Sequence, residues 1–139
     1  MTYFSPELFK SSSNIFVFGS NKAGRHGAGA AKFAKEYCGA VYGRGFGLQG
    51  RSFAIPTKNE YLATLPMQEI YTYVQSFLQF AKQSPHLTFY VTEIGCGLAG
   101  YTPIQIAPMF IDVPSNVILP ERFKLNKPLP LLDSVVDVG

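Results

Sequence analysis

The sequence predicts an α/β fold, a three-layer α/β/α sandwich around a mixed central sheet, on three observations. Asn14-Ile15-Phe16-Val17-Phe18 is an apolar run without polar alternation, as expected of a strand covered on both faces. Residues 87–91, extending towards Ile94, form a second such run, and the two are placed as central strands. Both runs end in glycine-rich turns that open helical patterns, so the order strand, loop, helix occurs twice.

The 139 residues suffice for one domain with a full core and are too few for two ordinary ones, so residues 1–139 are read as a single domain. Apolar residues make up 47% and charged residues 15%, which excludes a disordered chain. The net charge of +3 is spread over separated lysines and arginines, an argument against a dedicated nucleic-acid binder but compatible with one phosphorylated ligand. Cys38 and Cys96 lie far apart, and neither belongs to a metal-type pair with His26 or His86, so neither a disulfide framework nor a metal site is expected, and no cofactor is implied. No apolar run approaches the roughly 20 residues that span a bilayer, and no charged segment leads into a long apolar one at the start. The expected location is the reduced cytoplasm, without a membrane partner.

Residues 1–13 hold scattered aromatics and serines and are expected to form at most one short turn. The first strand stops at Gly19-Ser20-Asn21, small polar residues at the carboxyl edge, where open α/β sheets bind ligands. Residues 22–29 then feed a helix in which Ala30, Phe33, Ala34 and Tyr37 share a face, closed by Gly39 at C′. Residues 40–50, with Gly43, Gly45, Gly47 and Gly50, read as a loop with short extended pieces. Residues 52–55 form a strand ended by Pro56-Thr57-Lys58, which puts Lys58 at a strand end. The clearest helix starts at Thr64 or Leu65, buries Ile70, Val74, Phe77, Leu78 and Ala81, and stops before Ser84-Pro85. Thr102-Pro103 suit a helix N-cap and first position, and Pro103, Ile106, Ala107, Phe110 and Ile111 keep helical spacing after it. Residues 117–119 give a last short strand. The tail, residues 121–139, is irregular and apolar, and is expected to pack across the domain or to dock on a neighbouring chain as an oligomer contact.

The chemistry concentrates in the two glycine loops. Gly95-Cys96-Gly97-Leu98-Ala99-Gly100 spaces its glycines as GxGxxG, which frees the backbone and removes the Cβ atoms that would hold a ligand off it. Backbone N–H groups in such a turn converge on an anion, although the same string also serves plain tight turns. The earlier loop, Gly24-Arg25-His26-Gly27-Ala28-Gly29, sits at a helix N-terminus, where free N–H groups favour a diphosphate. Arg25 and His26 lie beside it, His26 as either a ligand contact or a structural loop donor. Lys58 is either a solvated lysine or part of the ligand edge.

Phe18-Gly19-Ser20-Asn21, the His26-Gly27-Ala28-Gly29 loop and Ile94-Gly95-Cys96-Gly97-Leu98-Ala99-Gly100-Tyr101, in that order, resemble the macro domain, whose two loops clasp the diphosphate of ADP-ribose. The resemblance covers roughly residues 14–119. Within that superfamily the chain looks most like the terminal ADP-ribose glycohydrolase branch, with motifs close to Met-Gly-Ala-Gly, Thr-Lys and Gly-Cys-Gly-Leu-Asp. Here the counterparts are His26-Gly27-Ala28-Gly29, Thr57-Lys58 and Gly95-Cys96-Gly97-Leu98-Ala99.

The resemblance implies a macro domain-like fold that binds ADP-ribose or an ADP-ribosylated target through Ser20, Asn21, Arg25, His26, Gly27, Ala28, Gly29, Gly95, Cys96, Gly97, Leu98, Ala99, Gly100 and Tyr101. It also implies Lys58 as the nucleophile that attacks the ribose. Ala99 stands where the branch has its acid/base aspartate, so hydrolysis is expected to be weak or absent. Glu93 is the nearest carboxylate in sequence, and Asp112 and Glu60 can help only if the fold brings them close. The other function class left open is a macro-like interaction or assembly module that has no nucleotide ligand and works through its apolar tail.

Overall fold

β1 (Asn14–Asn21) is the middle strand of a five-stranded sheet in the computed structural model, which describes residues 4–124. Its neighbours are β3 (Ser52–Lys58) and β4 (Thr88–Val91), both parallel to it, with the short strands β2 (Gly47–Gln49) and β5 (Val117–Ile118) outside them. β2 runs antiparallel to β3, and this pair makes the sheet mixed.

Register explains the unbroken apolar runs. Val17 pairs with Phe53 and Val91, and Phe18 with Ala54, so alternate side chains leave opposite faces of one ladder. Ile15, Val17, Phe53, Ile55, Phe89 and Val91 meet Ile70, Val74, Phe77 and Ala81 of α2 (Met67–Lys82). Phe16, Phe18 and Ala54 meet Ala31 and Ala34 of α1 (Gly29–Tyr37), and Phe9 from a 3₁₀ turn at Pro6–Lys10. Helices therefore cover both faces. Phe16 lies 5.3 Å from the Phe9 ring and 4.8 Å from the Phe33 ring, centroid to centroid, and removing such a buried ring costs about 3–5 kcal/mol.

Several boundaries differ from the sequence expectation, each for a local reason. α2 starts at Met67, because Leu65 precedes proline and stays extended, donating its N–H to Thr57 O at 2.9 Å while Thr64 bridges to Lys58. β3 continues through Pro56 to Lys58, with Pro56 opposite Ser20 beside a register shift that tolerates its missing N–H. β4 ends at Val91, and Thr92 turns its hydroxyl back to Val17 O at 2.7 Å, so residues 92–94 lie outside the ladder. The expected helix over residues 103–111 divides. α3 (Pro103–Ile106) begins with a Thr102/Gln105 capping box, then tightens into a 3₁₀ turn at Ala107–Phe110, where Pro108 has no N–H to continue an α-helix. Ile111 falls out of the buried face and is 57% exposed.

The start of the expected irregular tail is a short helix, α4 (Glu121–Lys124), whose Phe123 stacks on Phe110 at 5.3 Å. The proposed docking of the rest of the tail falls on residues 125–139, outside the described residues. Among the described residues no helix is long and apolar enough to cross a membrane.

Candidate functional site

Parallel strands deliver their following loops to one edge, and at the carboxyl ends of β1, β3 and β4 these loops enclose a cleft of about 440 Å³. The volume falls in the range of small-molecule sites. Ser20, Asn21, Arg25, Gly27, Ala28, Gly29, Lys58, Gly95, Cys96, Gly97, Leu98 and Ala99 line it, so residues up to 79 positions apart meet around one space.

At the β1 end, side chains brace the loop. Asn21 Oδ1 accepts from Arg25 N at 2.9 Å and its Nδ2 donates to Arg25 O at 3.1 Å, closing the turn that carries Arg25 to the cleft. Ser20 Oγ donates to Gly45 O, and Thr57 Oγ1 donates to Ser20 O at 3.3 Å. These polar groups are committed to the scaffold.

The N-terminus of α1 forms one wall. Its cap residue, Ala28, has no side chain that can accept a hydrogen bond, so the first-turn N–H groups at Gly29, Ala30 and Ala31 have no side-chain cap where they border the cleft. The positive end of the helix dipole adds to them.

The opposite wall is the second glycine loop. Gly95 (φ 76°) and Gly100 (φ 91°) take left-handed backbone, whereas Gly97 does not, and a Cβ on Gly97 would meet nothing within 4 Å. Two predicted contacts lie away from the cleft. Tyr101 passes beneath the loop and donates its hydroxyl to Leu65 O at 2.7 Å, and Gly100 turns the chain towards α3. Burial, with Glu93 nearby, pushes the Cys96 thiol up to about 11, and burial raises Cys38 to about 12, so neither is a thiolate nucleophile at neutral pH.

His26 is also not on the cleft. Although it sits between Arg25 and Gly27, its ring points into the core, 1% exposed, edge-on to Phe18 at 5.2 Å. Nε2 faces two acceptors, Arg44 O at 3.0 Å and Gln49 Oε1 at 3.2 Å, so Nε2 is assigned the proton and donates; Nδ1 is buried without a partner. The ring is thus a clamp beneath the loop. Its target is the glycine-rich segment at residues 40–50, a loop that includes the short strand β2. Gly43 N donates to Gly24 O at 2.8 Å, and Cβ atoms on Gly24 (φ 70°) or Gly45 would collide with the backbones of Arg44 and Asn21 respectively. Residues 43–45 form a strap against residues 21–24, and their glycines permit the close approach.

Lys58 ends β3, half-buried, with Leu62 and Leu98 as apolar cleft neighbours. Leu62 (φ 65°) is held left-handed in a tight turn whose Asn59 Oδ1 accepts from Tyr61 N and Ala63 N at 2.8 and 3.0 Å. Of the carboxylates considered, Asp112 and Glu60 do not line the cleft, and Glu93 does. Arg122 of α4 grips Glu93 through Nε–Oε2 at 2.8 Å and Nη2–Oε1 at 2.5 Å. Those hydrogen bonds hold the Glu93 carboxyl below the usual carboxylate range, which makes it a fixed anion and a poor proton donor. Arg122 escapes sequence reading because it reaches the cleft from a helix 29 positions away; the only local signal is Pro120-Glu121, a helix-start pair. Among the described residues no three His, Cys, Asp or Glu side chains gather as a metal site would require.

Comparison of the chain with protein-family models, with curated proteins and with solved structures yields no match in any of the three.

Proposed function

We propose that the cleft binds ADP-ribose or a related ADP-ribosyl nucleotide, with the diphosphate between the α1 N-terminus and the loop at residues 95–99. The observation that carries this reading is the meeting of both glycine loops across one cleft. Uncapped N–H groups at α1 and the cations Arg25 and Lys58 supply what a diphosphate needs, and the Asn21 and His26 clamps supply preorganisation. Helices on both faces of a mixed sheet, with the site at its carboxyl edge, support a macro domain-like sandwich.

For turnover, Lys58 is the group that would attack the anomeric carbon of the terminal ribose, forming an N–C bond as the C–O bond to a carboxylate leaving group breaks. Ala99 offers no carboxyl to take the lysine's proton, and Glu93 is engaged by Arg122, so hydrolysis is slow or absent and binding is the main activity. A ligand that binds only the native state raises the melting temperature, by about 2.7 kcal/mol of stabilisation at a hundredfold excess over Kd. Thermal shifts across ADP-ribose, its 1″-phosphate, NAD and plain nucleotides test the reading. A rise with the ADP-ribosyl compounds supports it, and no shift with any of them at millimolar concentration overturns it.

A further inference from the structure

We propose that the Glu93–Arg122 pair reads the base of the bound nucleotide and selects a purine with a 6-amino group over one with a 6-oxo group. This rests on the reading of the cleft as an ADP-ribosyl nucleotide site.

The argument begins with placement. Lys58 ends β3 and Glu93 follows β4 by two residues, with β1 between them. Two strand spacings of about 4.8 Å set those strand ends roughly 10 Å apart. The glycine loops border the space between. A nucleotide whose diphosphate lies there and whose terminal ribose approaches Lys58 carries its nucleoside to the Glu93 end.

The chemistry at that end is selective. An ionised carboxylate only accepts hydrogen bonds, and Arg122 takes one direction on each Glu93 oxygen, leaving the others for a ligand. An exocyclic amine donates to that acceptor, whereas a 6-oxo group sets one lone pair against another. Arg122, with 60% of its side chain exposed, presents a planar guanidinium on which a base can stack. Its position is not left to a free surface chain, because the next residue, Phe123, is buried against Phe110. A salt bridge this exposed contributes little to stability by itself, so its place in the cleft lining points to a ligand role.

Calorimetry with ADP-ribose and its hypoxanthine analogue, inosine diphosphate ribose, on the parent, Glu93→Gln and Arg122→Met proteins tests the inference. The parent should prefer ADP-ribose by about tenfold or more, the loss expected for one charged hydrogen bond. Glu93→Gln should bring the two ligands near parity, since a carboxamide can turn its NH₂ towards a 6-oxo group. If Glu93→Gln does not fold, Arg122→Met carries the test, and the preference should shrink as the carboxylate loses its anchor. Equal affinities in the parent, or a preference that both variants keep, overturn the proposal and leave the diphosphate site standing. A folded parent that binds neither ligand overturns the reading of the cleft and this proposal with it.

Discussion

Thr64 Oγ1 donates to Ala99 O at 2.8 Å, joining the turn that follows β3 to the second glycine loop. Because Thr64 also bridges to Lys58, that one residue ties the position of Lys58 to that of Ala99. Lys58 and Ala99 are therefore joined through one braced frame, and Ala99 carries only a methyl group.

Release of ADP-ribose from a glutamate-linked conjugate measures the consequence. The parent should turn over slowly or not at all, and Lys58→Ala should remove what activity there is. Ala99→Asp adds a carboxyl on the braced frame, and general acid–base assistance is typically worth about 10²–10⁴-fold. Fast parental turnover that survives Lys58→Ala would assign the chemistry to another residue.

The glycines of the second loop should separate binding from folding. Gly97→Val places its branches in open space and leaves the backbone unstrained, so the protein should keep its melting temperature while ADP-ribose affinity falls by about tenfold or more. Gly95→Val meets both a left-handed φ of 76° and Ile106 Cδ1 at 3.2 Å from its Cβ, so stability should fall as well. Unchanged affinity in folded Gly97→Val protein would remove the diphosphate from this loop.

His26→Leu deletes one of the two donors to Arg44 O, the other being Gln49 Nε2 at 3.1 Å, and should cost about 0.5–1.5 kcal/mol in chemical denaturation for the lost hydrogen bond. His26→Gln retains an N–H near the Nε2 position and should recover most of the loss, together with ADP-ribose affinity. Equal loss in both variants would mean that ring packing on Phe18, not the hydrogen bond, sets the clamp.

Acid should break the Glu93–Arg122 pair while Phe123 keeps α4 packed on Phe110. Arg122 lowers the Glu93 carboxyl from its ordinary 4.5, so the pair's stabilisation is fully present above that value and is lost as pH falls through the lower, folded value. The melting-temperature gap between the parent and Arg122→Met should accordingly be constant from neutral pH to about 4.5 and close below it. A gap that instead widens on acidification would contradict this linkage.

Alkylation should discriminate against a thiol mechanism. With Cys96 pushed up to about 11 and Cys38 to about 12, iodoacetamide at neutral pH should label neither residue in the folded protein. Mass spectrometry showing rapid labelling of Cys96 would reveal a more open loop than the one described.

The sequence by itself determined the elements whose physics is local. Two-sided burial wrote the apolar run at residues 15–18, whereas β4 buries only Phe89 and Val91 fully and leaves Thr88 and Tyr90 half-buried; the 3.6-residue period marked α1 and α2, and Gly39 at φ 72° ended α1 as a left-handed cap. The two glycine loops were legible because left-handed backbone and close approach select glycine at a few positions. Chain order also carried their convergence, since parallel strands deliver successive loops to one edge. Only the tertiary structure decided the roles that depend on partners distant in sequence. His26 and Arg25 are adjacent in the chain, yet one ring is buried against Arg44 and Gln49 and the other side chain faces the cleft. Gly43 and Gly45 look like loop glycines until Gly24 and Asn21 are laid against them. The pairing of Arg122 with Glu93 has no local mark, because the two residues are 29 positions apart in sequence, with α3 and β5 between them, and meet only in the fold. Periodicity and turn chemistry report a residue's own backbone, whereas a side chain's direction and charge partner are set by which surfaces the packed sheet brings together.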